Sequence, residues 1–407
     1  MLYFKTSEII EKYHVSAKTV ANWVRDAKDG KLDLKLRIEG NKAWIANTPN
    51  NIALIKELIA KRKKFRNTLS LKEVSPTPEF YNLYNPRQIF DITNSLDIYR
   101  EIPFQYGYFD GGAELWDKYV QKLASETSVN ALNATVKLLE VNRGYIDEVI
   151  SNYKRVNVID IGAGNGLPVK EFLAHIKSQG KLGRYIAVDI SSSMIDIARQ
   201  NIANWFDNSI SFEGYEADIT HDRFSDPLVK EVIGKAAKDT INIVLVLGGT
   251  LSNLRSPDNA MQTIHDSMNR QDIMIYTRKL DSETTRQYFD FGISEKMPSI
   301  DPKTAMILDL MNIDESLYDV EMGFDSFQSE RYIRVRLKTA LNLKFSFAEG
   351  DRIVSIDRGE SILLWRSWHQ SATEIVQQLG RNGFTAFHAS QSMSKDYILA
   401  ISSIAHQ

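Results

Sequence analysis

The sequence of 407 residues contains no cysteine, and this absence excludes several kinds of structure and chemistry. Without thiols the chain can form no disulfide, hold no thiolate-bound metal and carry no iron–sulfur cluster. The sequence also lacks an apolar run long enough to span a bilayer, and its N-terminus lacks a basic segment followed by an apolar one. No spacing of residues typical of a metal site is present. We therefore expect a cytoplasmic protein that contacts no membrane and binds no metal.

The formal net charge is only −2, but it is unevenly distributed along the chain. Residues 1–67 carry 15 Lys and Arg against 7 Asp and Glu, a balance of +8. The remaining residues hold 35 basic and 45 acidic side chains, a balance of −10. Such an asymmetry indicates a separate basic module in front of a larger body, and a chain of this length has room for two or three domains.

The basic module has the pattern of a winged helix-turn-helix. A short amphipathic stretch at residues 7–13 is followed by a turn and by a second predicted helix at residues 17–25, in which Val20 and Val24 would be buried. Residues 34–45 alternate on both sides of a Gly-Asn turn, as a hairpin wing does. The pattern resembles that of excisionase-like and MerR-like proteins.

This resemblance implies that the second helix enters a major groove of DNA while the wing and the basic tail hold phosphates. DNA is thus an expected partner of residues 1–67. Winged helices also bind peptides and mediate dimerisation, so a protein partner or a homodimer is the alternative. The side chains that we expect to contact nucleic acid are Lys18, Thr19, Asn22, Arg25 and Lys42.

The most informative motif is RVNVIDIGAGNG, at residues 155–166. Its β-branched run predicts a buried parallel strand that Asp160 closes. Glycine then occurs at alternate positions, at Gly162, Gly164 and Gly166. Glycines let the backbone turn tightly and pass close under a ligand that side chains would exclude.

Two further acids follow predicted strands. Asp189 ends the strand at residues 184–189, where a carboxylate can accept hydrogen bonds from both hydroxyls of a ribose, and Asp218 follows the next strand. Dinucleotide sites use G-x-G-x-x-G to seat a pyrophosphate on a helix N-terminus. In this sequence the third glycine comes one residue earlier and an Asp precedes the first. The alternative is an α/β domain whose glycines serve only helix–sheet packing.

The spacing D-x-G-x-G-x-G, together with the two later acids, resembles the motifs of class I methyltransferases that use S-adenosylmethionine (SAM). The resemblance implies SAM as the cofactor, with Asp189 at the ribose and Asp218 near the adenine amino group. The cofactor-binding residues that it indicates are Asp160, Gly162, Gly164, Gly166, Asp189 and Asp218.

A more specific resemblance extends over roughly residues 78–404. Residues 80–92 (FYNLYNPRQIFDI) and 247–254 (LGGTLSNL) are similar to segments of the histidine-specific SAM-dependent methyltransferases. The sequence departs from that family at Ile362, where a Glu-x-Ser pattern places Ser. The residues that we expect at the reacting groups are Asn253, Tyr99 and Tyr288, and those that we expect to contact the substrate are Tyr84, Tyr81 and Glu360.

These features predict a methyltransferase that acts on an amine nitrogen of an amino acid or related small molecule, similar to histidine. Two alternatives stay open. One is a DNA-binding regulator whose SAM domain is a sensor or is inactive, and the other is a nucleic-acid methyltransferase. Residues 248–253 lack the Pro-Pro and the aromatic residue that usually stack a flipped base, and the absence of cysteine removes the nucleophile of pyrimidine C5 methylation.

The predicted fold is α/β, with a class I SAM-methyltransferase (Rossmann-like) sheet, an α+β substrate-binding domain and an N-terminal winged-helix module. In the C-terminal third we expect a long strand at residues 331–347, with partners at residues 352–356 and 361–365. The predicted segments are a basic winged helix (1–67), a linker (68–79), a helical cap on the substrate side (80–150), the SAM-binding core (151–280) and a substrate-domain insertion with the end of the sheet (281–407).

Overall fold

The structure is a computed structural model. It describes residues 3–405 apart from residues 14, 16, 41, 70, 110, 127–129, 230–238, 284–299 and 301. The chain divides into two compact units, Met1–Lys72 and Glu73–Gln407. Within the described residues, no helix combines the length and the apolar character needed to cross a bilayer.

The described part of the first unit combines helices with a small antiparallel sheet of order β1-β3-β2. Its elements are β1 (Tyr3–Lys5), α1 (Thr6–Tyr13), α2 (Ala17–Lys28), β2 (Leu36–Glu39), β3 (Lys42–Ala46) and α3 (Pro49–Leu69). Strands β2 and β3 form the expected hairpin, with Glu39 opposite Lys42. The buried side chains of its apolar core are Ile9, Val20, Trp23, Leu34, Ile45 and Ile55.

The buried face of α2 differs from the predicted one. Val20 is buried as expected, but its inward neighbours are Trp23 and Thr19, and Thr19 is only 2% exposed. Val24 is half-buried. The expectation that Thr19 is exposed is therefore wrong. The indole of Trp23 has more apolar surface to bury than Val24, and turning the helix to bury it also brings the adjacent Thr19 inward.

Strand β4 (Lys72–Val74), whose first residue is the last of the first unit, precedes a series of helices in the second unit. Strand β4 and the helix cap at Thr77 both fall within residues 68–79, the predicted linker. Two of the helices open with a capping side chain followed directly by proline, at Thr77-Pro78 and at Asn85-Pro86, which satisfies an N–H group and fixes φ for the first turn. The helices are α4 (Pro78–Leu83), α5 (Pro86–Tyr99), α6 (Gly112–Ser125), α7 (Ala131–Val141) and α8 (Arg143–Val149), with a 3-10 helix at Phe104–Tyr108.

The remaining elements alternate between strand and helix before a run of strands. In chain order they are β5 (Arg155–Ile161), α9 (Lys170–Ser178), β6 (Leu182–Asp189), α10 (Ser192–Trp205), β7 (Ser211–Glu216), α11 (Ser225–Val229), β8 (Thr240–Val246), α12 (Pro257–Ser267), β9 (Ile273–Lys279), α13 (Pro302–Leu310), β10 (Tyr318–Asp325), β11 (Glu330–Leu337), β12 (Leu341–Phe347), β13 (Gly350–Ile356), β14 (Ser361–Trp368), α14 (Ala372–Arg381), β15 (Phe384–Gln391) and β16 (Tyr397–Ile404).

The largest sheet has the order β15-β16-β9-β8-β5-β6-β7. Strands β9, β8, β5, β6 and β7 are parallel, and β16 runs antiparallel to both of its neighbours. Apolar clusters cover both faces of the sheet, which explains the nearly continuous apolar runs of its central strands. The predicted Rossmann-like sheet of mostly parallel strands is thus present. Ligands of such sheets bind beyond the carboxyl ends of the parallel strands.

Two three-stranded sheets, of order β10-β11-β14 and β13-β12-β4, form the accessory region of this unit. The long strand predicted at residues 331–347 is wrong, because it is divided into β11 and β12, which lie in different sheets. Strand β11 pairs with β10 as far as Leu337 and Tyr318, and the backbone N–H of Lys338 extends this register by donating to the carbonyl of Leu317 at 2.8 Å, whereas β12 pairs with β13. Alternation continues across the break, so the sequence pattern does not reveal it. A third apolar cluster joins these sheets to α4, α5 and α13.

Candidate functional site

The turn after β5 requires glycine at its alternate positions. Gly162, Gly164 and Gly166 all have positive φ, of 65°, 55° and 75°. A Cβ atom on Gly162 would lie 2.7 Å from Cγ2 of Thr250, and one on Gly164 would lie 3.4 Å from Nε1 of Trp116. The turn is therefore narrow at these two positions, because the side chains of Thr250 and Trp116 lie close to the space that a Cβ would need.

Two buried carboxylates flank this turn. Asp189, at the end of β6, accepts the backbone N–H of Gly164 and of Ser191, each at 3.1 Å. Asp160, near the end of β5, accepts the hydroxyl of Tyr185 at 2.8 Å. Burial raises the pKa of Asp160 to about 7 and the pKa of Asp189 to about 6, while the hydrogen bonds that each accepts lower it in part. A cationic or hydroxyl-bearing ligand would favour their ionised forms.

The third predicted acid, Asp218, lies in the loop after β7. Its carboxylate accepts the backbone N–H of Thr220 at 2.9 Å and the hydroxyl of the same residue at 2.6 Å. These short-range bonds fix the loop locally, so that Asp218 faces the same cavity as Asp160 and Asp189.

A cavity of about 230 Å³ lies beyond the carboxyl ends of β5, β6, β7 and β8. Its charged lining consists of Asp160, Asp189 and Asp218, and among the described residues no Lys, Arg or His lines it. A pyrophosphate would meet three carboxylates here and no cation, so the lining does not suit a dinucleotide. It suits a ligand with a positive charge and ribose hydroxyls, such as SAM. The described part of the chain also holds no group of three or more His, Cys, Asp or Glu arranged to bind a metal ion.

Aromatic side chains from the segment before β5 close one side of the cavity. Phe104, Tyr108 and Trp116 line it and contact one another edge to face, with ring centroids 5.3 and 5.5 Å apart. The carbonyl of Tyr108 accepts the hydroxyl of Ser191 at 2.8 Å. Sequence reasoning did not single out these three residues. The only available signal is the density of aromatic residues before the glycine motif, which also describes an ordinary core.

Asn253 lies on the other side of β5, after β8, in a 3-10 turn at Leu251–Asn253. The loop that leads to this turn is tied to the neighbouring strand, since the N–H of Gly248 donates to the hydroxyl oxygen of Thr277 at 3.0 Å. Asn253 lines the cavity and is half-buried. Its side-chain amide makes no hydrogen bond to any other residue that the structure describes, so both its donor and its acceptor are available to a ligand.

The family comparison agrees with this geometry. Residues 90–286 match the model of a family described as histidine-specific methyltransferase, SAM-dependent. The matched segment includes β5 to β9 and every cavity-lining residue named above. The chain is a SAM-dependent methyltransferase. The match supports the family that the sequence motifs indicate, and it includes none of the strands of the accessory sheets.

Several solved methyltransferases are similar to the chain. A SAM-dependent methyltransferase from Clostridium acetobutylicum is 9% identical, over 72% of this chain and 98% of its own, with a TM-score of 0.40. A 1,6-didemethyltoxoflavin-N1-methyltransferase from Burkholderia thailandensis is 11% identical, over 81% of this chain and 94% of its own, with a TM-score of 0.35. A glycopeptide N-methyltransferase in complex with SAM is 13% identical, over 66% of this chain and 94% of its own, with a TM-score of 0.33. No curated protein matches the chain. Because these TM-scores are low, the enzyme class rests on the family match.

Of the residues predicted to bind SAM, this methyltransferase brings five to the cavity, whereas Gly166 lies outside its lining. The predicted substrate residues are more dispersed. Tyr84 is 2% exposed within the apolar core and donates its hydroxyl to the carbonyl of Tyr106 at 2.8 Å. The hydroxyl of Tyr81 accepts the N–H of Ser346 at 2.9 Å, in the accessory region.

Glu360 and Tyr99 also lie outside the cavity lining. Glu360 accepts the N–H of Asp357 at 2.7 Å in the turn between β13 and β14. Tyr99 is 54% exposed, and the guanidinium of Arg255 lies 3.9 Å from its ring centroid. Tyr288 lies outside the described residues. The structure therefore brings Asn253 alone, among the described residues predicted to meet the substrate, to the cavity.

Proposed function

We propose that the protein transfers the methyl group of SAM to an amine nitrogen of an amino acid or a related small molecule similar to histidine. The observation that carries this proposal is the position of Asn253, whose side-chain amide faces the cavity without a hydrogen bond to another described residue. A neutral amide can hold an amino or carboxylate group of a substrate. The description of the matched family as histidine-specific supports an amino acid of this kind.

In the proposed site the role of each residue follows from the strand at whose end it lies. Asp189 accepts the ribose hydroxyls, Asp218 lies near the adenine, and the glycine turn passes under the methionyl group. When bound, SAM supplies a methyl group that its cationic sulfur has already activated. The chain therefore has to align the acceptor and keep water away, which an aromatic and apolar lining favours.

The acceptor nitrogen must be neutral to attack. The three carboxylates lie at the carboxyl ends of β5, β6 and β7, whereas Asn253 follows β8 on the opposite side of β5. The apolar residues Leu132 and Leu254 line the cavity as well. A neutral amide in such surroundings does not raise the pKa of an amine as a carboxylate would, so the acceptor loses its proton to solvent more readily.

A screen for SAM turnover tests the proposal. We expect formation of S-adenosylhomocysteine with an amino acid or small amine from a panel that also includes peptides and oligonucleotides. The variant Asn253→Ala should lower kcat/KM for the acceptor by roughly 10- to 100-fold, the usual effect of losing a hydrogen bond to a charged group. Its affinity for SAM should stay within about twofold, since Asn253 lies on the acceptor side.

The matched control is Asn259→Ala, which removes an exposed amide from α12 nearby. This variant should leave both kcat/KM for the acceptor and the affinity for SAM unchanged. Turnover with oligonucleotides alone would instead indicate a nucleic-acid methyltransferase. Binding of SAM without any turnover across the panel would contradict the proposed reaction and favour a SAM-sensing regulator.

We also propose that residues 1–67 form a winged helix that binds DNA. The balance of +8 supports this, as does the hairpin of β2 and β3. Arg25 and Lys42 are exposed and Asn22 is half-buried, whereas the buried Thr19 is not part of the proposal. The side chain of Lys18 lies outside the described part of the chain.

Salt dependence provides the test of DNA binding. The double variant Arg25→Gln/Lys42→Gln should bind duplex DNA more weakly, and the slope of log K against log[salt] should decrease by about 2, one for each lost phosphate contact. The control double variant Lys137→Gln/Lys154→Gln removes two exposed lysines from the second unit and should change neither quantity. An absence of binding even at low salt would indicate a protein partner.

A further inference from the structure

The turn that carries Asn253 is anchored by residues outside the large sheet. The indole N–H of Trp368, at the end of β14, donates to the carbonyl of Leu254 at 2.8 Å. On the next residue, the guanidinium of Arg255 donates to the hydroxyl of Ser95 at 3.2 Å. Both bonds hold the chain directly after Asn253.

The backbone hydrogen bonds within the turn are long, and two hydroxyls supplement them, with Ser252 donating to the carbonyl of Gly249 at 2.8 Å and Thr250 to that of Leu247 at 3.1 Å. The N–H of Asn253 donates to the carbonyl of Gly249 at 3.2 Å, and that of Leu254 donates to Leu251 at 3.3 Å. Two glycines, Gly248 and Gly249, precede the turn and leave its backbone with little intrinsic preference. Its orientation therefore depends also on the contacts that it makes with other elements, of which the bond from Trp368 is the shortest described directly after Asn253.

Trp368 is itself held firmly. Its carbonyl accepts the buried guanidinium of Arg278 at 2.8 Å, and the guanidinium of Arg366 lies 5.3 Å from its ring centroid. Arg366 in turn pairs with Glu101 at 2.6 Å and with Glu330 at 2.8 Å. The three charged side chains are between 6% and 11% exposed. Buried pairs of this geometry restrict movement, because breaking either one would leave an uncompensated charge.

We propose that Trp368 is a positioning residue that fixes Asn253 for the acceptor. This proposal rests on the proposed function of Asn253. It assigns a role to the accessory sheet of β10, β11 and β14, which lies beyond the residues that the family model matches. The orientation of the acceptor thus depends on a strand that is more than 100 positions away along the chain from the turn it holds.

The variant Trp368→Phe tests the role, since phenylalanine keeps an aromatic ring and removes the N–H donor, and the same change at Trp365 accounts for the loss of ring volume. We expect kcat/KM for the acceptor to decrease by about tenfold, the effect of one lost hydrogen bond, with the change mainly in kcat. The affinity for SAM and the melting temperature should remain close to those of the unmodified protein. Trp365→Phe is the matched control, because Trp365 lies on the same strand and makes no hydrogen bond to the turn. Equal turnover in the two variants would overturn the proposal.

A double-mutant cycle separates positioning from a general structural effect. In an Asn253→Ala background, Trp368→Phe should have no further effect on turnover, because the group that it orients is gone. A tenfold loss that persists in this background would show that Trp368 acts elsewhere.

Hydrogen exchange supplies a readout that does not depend on turnover. The amides of residues 249–255 should exchange faster in Trp368→Phe and at the original rate in Trp365→Phe. An unchanged exchange rate in Trp368→Phe would show that Trp368 does not hold the turn, even if an acceptor is found. If no acceptor is methylated but exchange is faster, the proposed reaction is wrong, whereas the role of Trp368 in holding the turn is confirmed.

Discussion

The variant Gly164→Asn is expected to lose measurable SAM binding, a decrease of at least about 100-fold in affinity, since a side chain would occupy space that the cofactor needs. Gly164 has a φ of 55° and lines the cavity. A Cβ atom at this position would point toward Nε1 of Trp116, at 3.4 Å. Asparagine tolerates positive φ better than other residues, so the change tests occupancy of the space more than strain of the backbone. Isothermal titration calorimetry provides the measurement.

Gly180→Asn is the matched control for this prediction. Gly180 has a φ of 70°, it is exposed, and a Cβ atom there would meet nothing within 4 Å. The control therefore imposes a similar backbone constraint away from the cavity. It should bind SAM with unchanged affinity. If Gly164→Asn also binds SAM normally, the glycine turn does not contact the cofactor.

The second large effect is expected at Asp189. Asp189→Ala should weaken SAM binding by about 1–3 kcal/mol, or roughly 5- to 150-fold, because it removes a charged acceptor of hydrogen bonds and releases the N–H of Gly164. Asp196→Ala, which removes an exposed carboxylate from α10, is the control and should have no effect. An unchanged affinity in Asp189→Ala would exclude Asp189 from the site.

The pKa values of Asp160 and Asp189 predict how the affinity for SAM depends on pH. Burial raises the pKa of Asp189 to about 6 and that of Asp160 to about 7, so both groups lose their charge between pH 8 and pH 5. A cation and ribose hydroxyls bind the carboxylate form, so affinity should fall by about tenfold or more over this interval. Asp189→Asn should retain only the part of the dependence that arises from Asp160.

The stability of the protein without ligand should change with pH in the opposite sense. The pKa values of both carboxyls are higher in the folded state than in the unfolded chain, where an aspartate titrates near pH 4. Their contribution to stability is present below about pH 4 and is lost as the pH rises through about 6 and 7. The increase in melting temperature that SAM causes should therefore grow from pH 5 to pH 8. A constant increase would contradict ionisation of these groups in the complex.

The sequence by itself determined the part of the site that depends on local chain geometry. Glycine at alternate positions after a buried strand predicts a turn with positive φ, and the structure has such φ values at all three positions. Acids at strand ends are also local features, since parallel strands bring their carboxyl ends to one edge of the sheet. This reasoning brought Asp160, Asp189 and Asp218 to one cavity, and it placed Asn253 there as well.

Only the tertiary structure decided which aromatic side chains face that cavity. Tyr84 and Trp116 both come from the aromatic segment, but Tyr84 is in the core and Trp116 lines the cavity. Periodicity indicates that one face of a helix is buried, and it does not reveal whether protein or ligand covers that face. The anchor from Trp368 to Leu254 is likewise beyond sequence reasoning, because it depends on how two distant strands pack. Local backbone preferences are encoded in neighbouring residues, whereas contacts between distant segments are fixed only when the whole chain folds.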